Sequence, residues 1–177
     1  MIETLISSKT RIKLLLKFFL NSNMTAYLRS LEGEFGESSN AIRLELNRLE
    51  KSGMLSSFMN GNKKMFKANP THPLFGEVHN IVMKHVGLDK IIQDVVERLG
   101  EVEKVYLSGK FAEGLNSRVI DLIFVGDVDK FYLLKLIDKV EALISRKVRY
   151  VIYSTEEWSD ELMCTFTPSP LLLWTAD

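Results

Sequence analysis

Apolar residues recur at helical spacing from about Lys9 to Leu20, where Ile12, Leu15, Leu16 and Phe19 form one stripe and Lys13 and Lys17 lie opposite. A second helix fits Thr25 to Phe35, with Tyr27, Leu28, Leu31 and Phe35 turned inward and Gly36 placed to close it as a left-handed cap. Ser38 or Ser39 reads as the N-cap of a third helix that runs to about Ser52 and stops at Gly53. In that helix Ile42, Leu46 and Leu49 recur at core spacing, while Asn40, Arg43 and Asn47 share a polar face. The pattern then becomes extended. Met54 to Met59 and Lys63 to Ala68 flank Asn60-Gly61-Asn62, and Asn-Gly between two extended runs predicts a hairpin.

Asn69-Pro70-Thr71-His72-Pro73 is the clearest boundary in the chain, because each proline restricts itself and the residue before it. Beyond it the spacing predicts helices from Pro73 to about His85 and from Leu88 to Leu99, a strand over 102–107, and one helical turn. A strand over 119–125, a helix over 129–144, a strand over 147–153 and a helix over 155–163 follow. Helices alternating with β-rich runs make a small α/β unit. Ser154 with Glu157 three residues on is read as a capping box, and Phe166 to Trp174, with Pro168 and Pro170, as an irregular apolar tail that packs back.

At 177 residues with 46% apolar content, the chain can build one core or two small ones. Its longest early apolar run, Leu14 to Leu20, is interrupted by Lys17 and is too short to cross a bilayer, so the expectation is a cytoplasmic protein without a membrane partner. One cysteine, Cys164, allows no internal disulfide, and His72, His79 and His85 lack metal-ligand spacing, so no structural metal is expected. A net charge of zero conceals a division. Residues 1–70 carry eleven Lys and Arg against six Asp and Glu, which leaves twelve against seventeen of the chain's 23 and 23 for the remainder. A basic first part facing an acidic second part points to a polyanion at one end.

The helix, turn, helix and basic hairpin resemble a winged helix, and FGESSNAIRLELNRLEKSGML is similar to the winged-helix regulators of the ArsR/MarR type, over residues of about 8 to 69. On that face Asn suits adenine and Arg suits guanine in the major groove. Candidate DNA contacts are therefore Ser38, Ser39, Asn40, Arg43 and Asn47 on the helix, with Asn62, Lys63, Lys64 and Lys67 on the hairpin. Glu45 and Glu50 lie nearby and would repel phosphate if they turned the same way.

The stretch VYLSGKFAEGLNSRVIDLIFVG, Val105 to Gly126, resembles the core of the polymerase-beta-like nucleotidyltransferases. That resemblance implies Gly-Ser, a second Gly, and Asp-x-Asp on the next strand, where two carboxylates on one face share magnesium ions over a triphosphate. Here the pattern departs three times: Lys110 follows Gly109, Val119 replaces the first Asp and leaves Asp121 alone, and Lys147 to Tyr153 offers no third carboxylate. Asp121 then reads either as an ordinary charged residue at the rim of a sheet or as part of a vestigial phosphate or nucleotide site with Gly109 and Lys110, and no catalytic residue and no metal are expected.

The expected fold class is α+β: an N-terminal winged helix-turn-helix over 1–69, a linker and connecting helix over 70–87, and a small nucleotidyltransferase-like α/β domain over 88–177. The expected function is a transcriptional regulator that binds double-stranded DNA as a homodimer and needs no cofactor. Its second domain is a pseudoenzyme used for sensing, dimerisation or binding a protein partner. Two alternatives stand beside it. One is a nucleotidyltransferase using magnesium and a nucleotide triphosphate, with Glu113 assisting Asp121; the other is an antitoxin-like interaction module.

Overall fold

Ser8 opens the first helix, α1 (Lys9–Leu15), by accepting the Arg11 N–H at 3.2 Å. The computed structural model of the chain describes residues 2–96, 99 and 102–176. α1 continues into a π-helical turn, Leu16–Leu20, in which all five residues are buried. Lys17 is buried with them, and its ammonium reaches Glu34 at 2.7 Å.

Thr25–Tyr27 is a strand, β1, where the apolar spacing predicts the start of a helix. Its register, Thr25↔Lys67 to Tyr27↔Met65, covers the edge of a later strand that would otherwise leave backbone groups unpaired. Helix α2 (Leu28–Phe35) begins only after it, with the Ser30 hydroxyl accepting the Tyr27 N–H at 3.2 Å, and ends at Gly36, whose φ of 62° is the expected left-handed cap. Helix α3 (Ser39–Lys51) starts at Ser38 and buries Ile42, Leu46 and Leu49 as the spacing predicts. Strands β2 (Leu55–Asn60) and β3 (Lys63–Ala68) pair from Leu55↔Ala68 to Asn60↔Lys63, and Gly61 supplies the positive φ their two-residue turn requires. The three strands lie in the order β1-β3-β2.

Helix α4 (Phe75–Val86) starts two residues after the predicted Pro73. It packs on the first unit: Phe75 lies 5.5 Å from the Phe19 ring, and His79 Nδ1 donates to the Phe19 carbonyl at 2.7 Å. Contacts divide the chain into two units, Met1–His85 and Val86–Asp177.

The second unit begins with α5 (Leu88–Ile91) and a π-helical turn, Ile92–Val96; residues 97 and 98 of the predicted helix lie outside the described residues. Strand β4 (Val102–Ser108), the short helix α6 (Gly109–Ala112), strand β5 (Val119–Gly126), helix α7 (Lys130–Ile144) and strand β6 (Lys147–Tyr153) follow in the predicted order. The sheet order is β6-β5-β4-β7, with β5 and β6 parallel and the other pairs antiparallel. Strand alternation puts Ile120, Leu122 and Phe124 on one face and Val119, Asp121, Ile123 and Val125 on the other.

Two expectations fail near the end of the chain. The predicted irregular tail contains strand β7 (Leu171–Thr175), whose pairing with β4 occupies an edge that would otherwise stay open, while Pro168 and Pro170, lacking N–H groups, stay before it. The predicted helix over 155–163 is a turn followed by α8 (Asp160–Thr165), capped by Ser159. Ser154 and Glu157 do exchange the reciprocal bonds of a capping box, at 2.8 and 3.3 Å, but around that turn. The turn delivers Trp158 onto Tyr106, with ring centroids 4.9 Å apart, so Tyr106, Ile123 and Val125 are covered by Tyr153, Trp158, Met163 and Phe166. The Asp121 end of the same strand face lies beyond this cover.

Candidate functional site

The outward side of α3 carries Asn40, Arg43, Leu44, Asn47, Arg48 and Lys51, all exposed. Both nearby acids are held in ion pairs. Glu45 is buried at 5% exposure and accepts from Arg11 at 2.7 Å, Arg48 at 3.0 Å and Ser8 at 3.2 Å, which ties α3 to α1. Glu50 accepts from Lys64 at 2.7 Å and from Ser57, which ties the end of α3 to the hairpin. Ser38 and Ser39 are partly committed: Ser38 accepts the Ala41 N–H at 3.3 Å, and Ser39 donates to Glu32.

The predicted hairpin lysines do not form one ridge. Alternation puts Lys64 on the side of β3 that carries the buried Phe66, where Glu50 holds it, and Lys63 and Lys67 on the opposite side. Lys63 sits 4.5 Å over the Tyr27 ring and Lys67 5.7 Å over the Phe58 ring, contacts that restrain long side chains without a carboxylate. Between α3, the start of α2 and the hairpin lies an open groove of about 750 Å³. Arg43, Asn47, Asn62, Lys63 and Lys64 line it, joined by Tyr27 and Arg29. Tyr27 lies in the segment expected to be helical, where Thr25 and Tyr27 are the available strand signal, and Arg29 joins the groove only through the packing of α2 beside the hairpin. Among the described lining residues the acid is Glu32, which Ser39 engages.

The internal carboxylates give the unit a pH response. The Lys13 hydrogen bond lowers Glu37, the bonds from Lys64 and then Ser57 lower Glu50, and at Glu45 burial pushes upward but Arg11, Ser8 and Arg48 together bring it below its ordinary value. With folded values below the ordinary 4.5, the unfolded chain binds protons first as pH falls. Stability from these groups is complete above the unfolded value and is lost as pH drops through the lowered folded values. Urea midpoints should therefore fall on acidification below about pH 5, and Glu45→Gln should flatten that dependence; an unchanged slope would remove Glu45 from the account.

In the second unit Gly109 and Asp121 meet at the junction of β4, α6 and β5, where Ser108 pairs with Asp121, while the Lys110 side chain on α6 is exposed. Gly109 has φ +62°, and a Cβ there would lie 2.4 Å from Asp121 Oδ2, so glycine is required both for the backbone and for the close approach. The residue missed from sequence is Arg149. The parallel register places it beside Asp121, whose Oδ1 it binds from Nη2 at 2.6 Å and Nε at 2.7 Å. Strand alternation carries that signal, but only once the register of β5 and β6 is known. Magnesium requires several oxygen ligands in octahedral array. Val119 offers none, Asp121 already faces a guanidinium, and no cluster of three His, Cys, Asp or Glu occurs among the described residues. The residues present do not fit a metal centre.

No protein-family model matches the chain, and no curated protein matches its sequence. Solved structures give partial matches, among them the following three. A tri-AMPylated Shewanella oneidensis HEPN toxin in complex with MNT antitoxin matches 53% of this chain and 74% of its own, at 19% identity and a TM-score of 0.38. A toxin-antitoxin structure with AMP-PNP matches 52% of this chain and 74% of its own, at 16% identity and a TM-score of 0.38. The protein AF1382 from Archaeoglobus fulgidus matches 52% of this chain and 98% of its own, at 12% identity and a TM-score of 0.38. No helix among the described residues is long and apolar enough to cross a membrane.

Proposed function

We propose that the first unit is a winged helix that binds double-stranded DNA, and that the chain is a transcriptional regulator. The observation that carries this reading is the outer surface of α3, where Asn40, Arg43 and Asn47 are exposed while Glu45 and Glu50 are held in ion pairs away from it. In the major groove Arg43 pairs with guanine and Asn40 or Asn47 with adenine, each through two hydrogen bonds. The hairpin is the wing, with Lys63 and Lys67 along the phosphates and Arg29, which lines the groove with Lys63, beside them. The second unit is a nucleotidyltransferase-like fold without catalytic work. Support for that part is the Asp121–Arg149 ion pair beside Val119, a donor set unsuited to magnesium.

Selection of duplexes from a random-sequence library with the full chain tests the reading. An enriched sequence should emerge, and Arg43→Ala should bind it about tenfold to a hundredfold more weakly while accepting other bases at one position. Lys63→Ala should weaken all duplexes alike. A folded protein that enriches no sequence and retains no duplex at low salt contradicts the proposal.

A further inference from the structure

Helix α7 buries Leu133, Leu136, Ile137 and Val140 and turns a second stripe outward. That stripe is Phe131, Leu134, Lys135, Asp138 and Ala142, spaced i, i+3, i+4, i+7 and i+11 along one side of the helix. Phe131 is 84% exposed and Leu134 50%, an arrangement that leaves a phenyl ring in water on a first turn fixed by Asp129, which accepts from Phe131 N at 2.9 Å and Tyr132 N at 3.0 Å. Among the described residues, no salt bridge within the protomer engages Lys135 or Asp138.

We propose that this stripe is the contact between two copies of the chain, with the two α7 helices packed antiparallel about a two-fold axis that passes between the levels of residues 136 and 137. The sequence is self-complementary about that point, which is what a two-fold interface requires. Phe131 meets the second copy's Ala142, whose small side chain leaves space for the ring. Lys135 meets the second copy's Asp138, and Leu134 lies on the flank of the same seam. At 1.5 Å per residue, the two Phe–Ala contacts stand about 16 Å apart and bracket the two ion pairs. Charge complementarity favours a second copy: a uniformly acidic or uniformly basic partner would satisfy one of Lys135 and Asp138 and oppose the other, whereas a second copy satisfies both.

Sedimentation of the full chain without DNA tests the interface separately from the DNA reading. The wild-type protein should sediment as a dimer and Phe131→Asp as a folded monomer that keeps a cooperative melting transition, with the wild-type transition rising with protein concentration and that of the variant independent of it. Lys135→Glu sets carboxylates face to face and Asp138→Lys sets ammoniums face to face, so each alone should weaken the dimer by at least about tenfold. The double variant Lys135→Glu, Asp138→Lys should restore it. A wild-type monomer, single reversals without effect, or a double variant as weak as either single one would each overturn the proposal.

Discussion

Gly109→Ala should be among the most damaging single substitutions in the second unit, costing about 2–4 kcal/mol and lowering that unit's melting temperature by roughly 10–20 °C. Two terms add. The backbone at φ +62° is left-handed, which L side chains rarely adopt, and the new methyl would stand 2.4 Å from Asp121 Oδ2. That oxygen has little freedom to retreat, because Arg149 holds the other carboxylate oxygen. The two terms can be separated with Asp121→Ala, which removes the obstructing oxygen and leaves the backbone strain. In the Gly109→Ala background it should recover part of the lost stability, a coupling that a double-mutant cycle reads directly. Purely additive losses would mean that the close approach of Gly109 to Asp121 is not what requires glycine.

Arg43→Glu should reduce affinity for the selected duplex by at least about a hundredfold, since it removes a base contact and sets a carboxylate against phosphate. The fold should be indifferent. Arg43 is exposed on α3, away from the buried Ile42, Leu46 and Leu49, and surface changes of that kind usually stay within about 0.5 kcal/mol. Loss of binding accompanied by loss of the thermal transition would assign Arg43 to the fold instead. Glu45→Gln is the informative contrast: it leaves the outer face intact and loosens the link from α3 to Arg11, so it should affect stability more than recognition.

Much of the arrangement was legible in residue spacing. The alternation from Met54 to Ala68 around Asn-Gly gave the hairpin, and the Ile42, Leu46, Leu49 spacing gave the orientation of α3, because each rests on interactions between near neighbours. The elements missed were those decided by distant backbone. Thr25–Tyr27 and Leu171–Thr175 are strands because each completes the edge of a strand far away in sequence, a demand that local periodicity does not record. The polar sites divide in the same way. Asp121 stands out by its place between two apolar residues, but Arg149 acquires meaning only from the β5–β6 register, and the pairing of Lys64 with Glu50 only from the packing of α3 on the hairpin.

On the proposed reading, residues on α3 and the hairpin bind duplex DNA through its phosphates as well as its bases. The direct measurement is the affinity of the full chain for the selected duplex as a function of salt, by fluorescence anisotropy. Arg29, Arg43, Lys51, Lys63 and Lys67 are the exposed cations expected to displace counterions. The logarithm of the binding constant should fall linearly with the logarithm of salt with a slope of about −4 to −5, a loss of several hundredfold between roughly 50 and 200 mM. Lys63→Ala should make that slope shallower by about one. Binding that ignores salt and tolerates Arg43→Glu, or no binding at the lowest salt by a folded protein, would contradict the account.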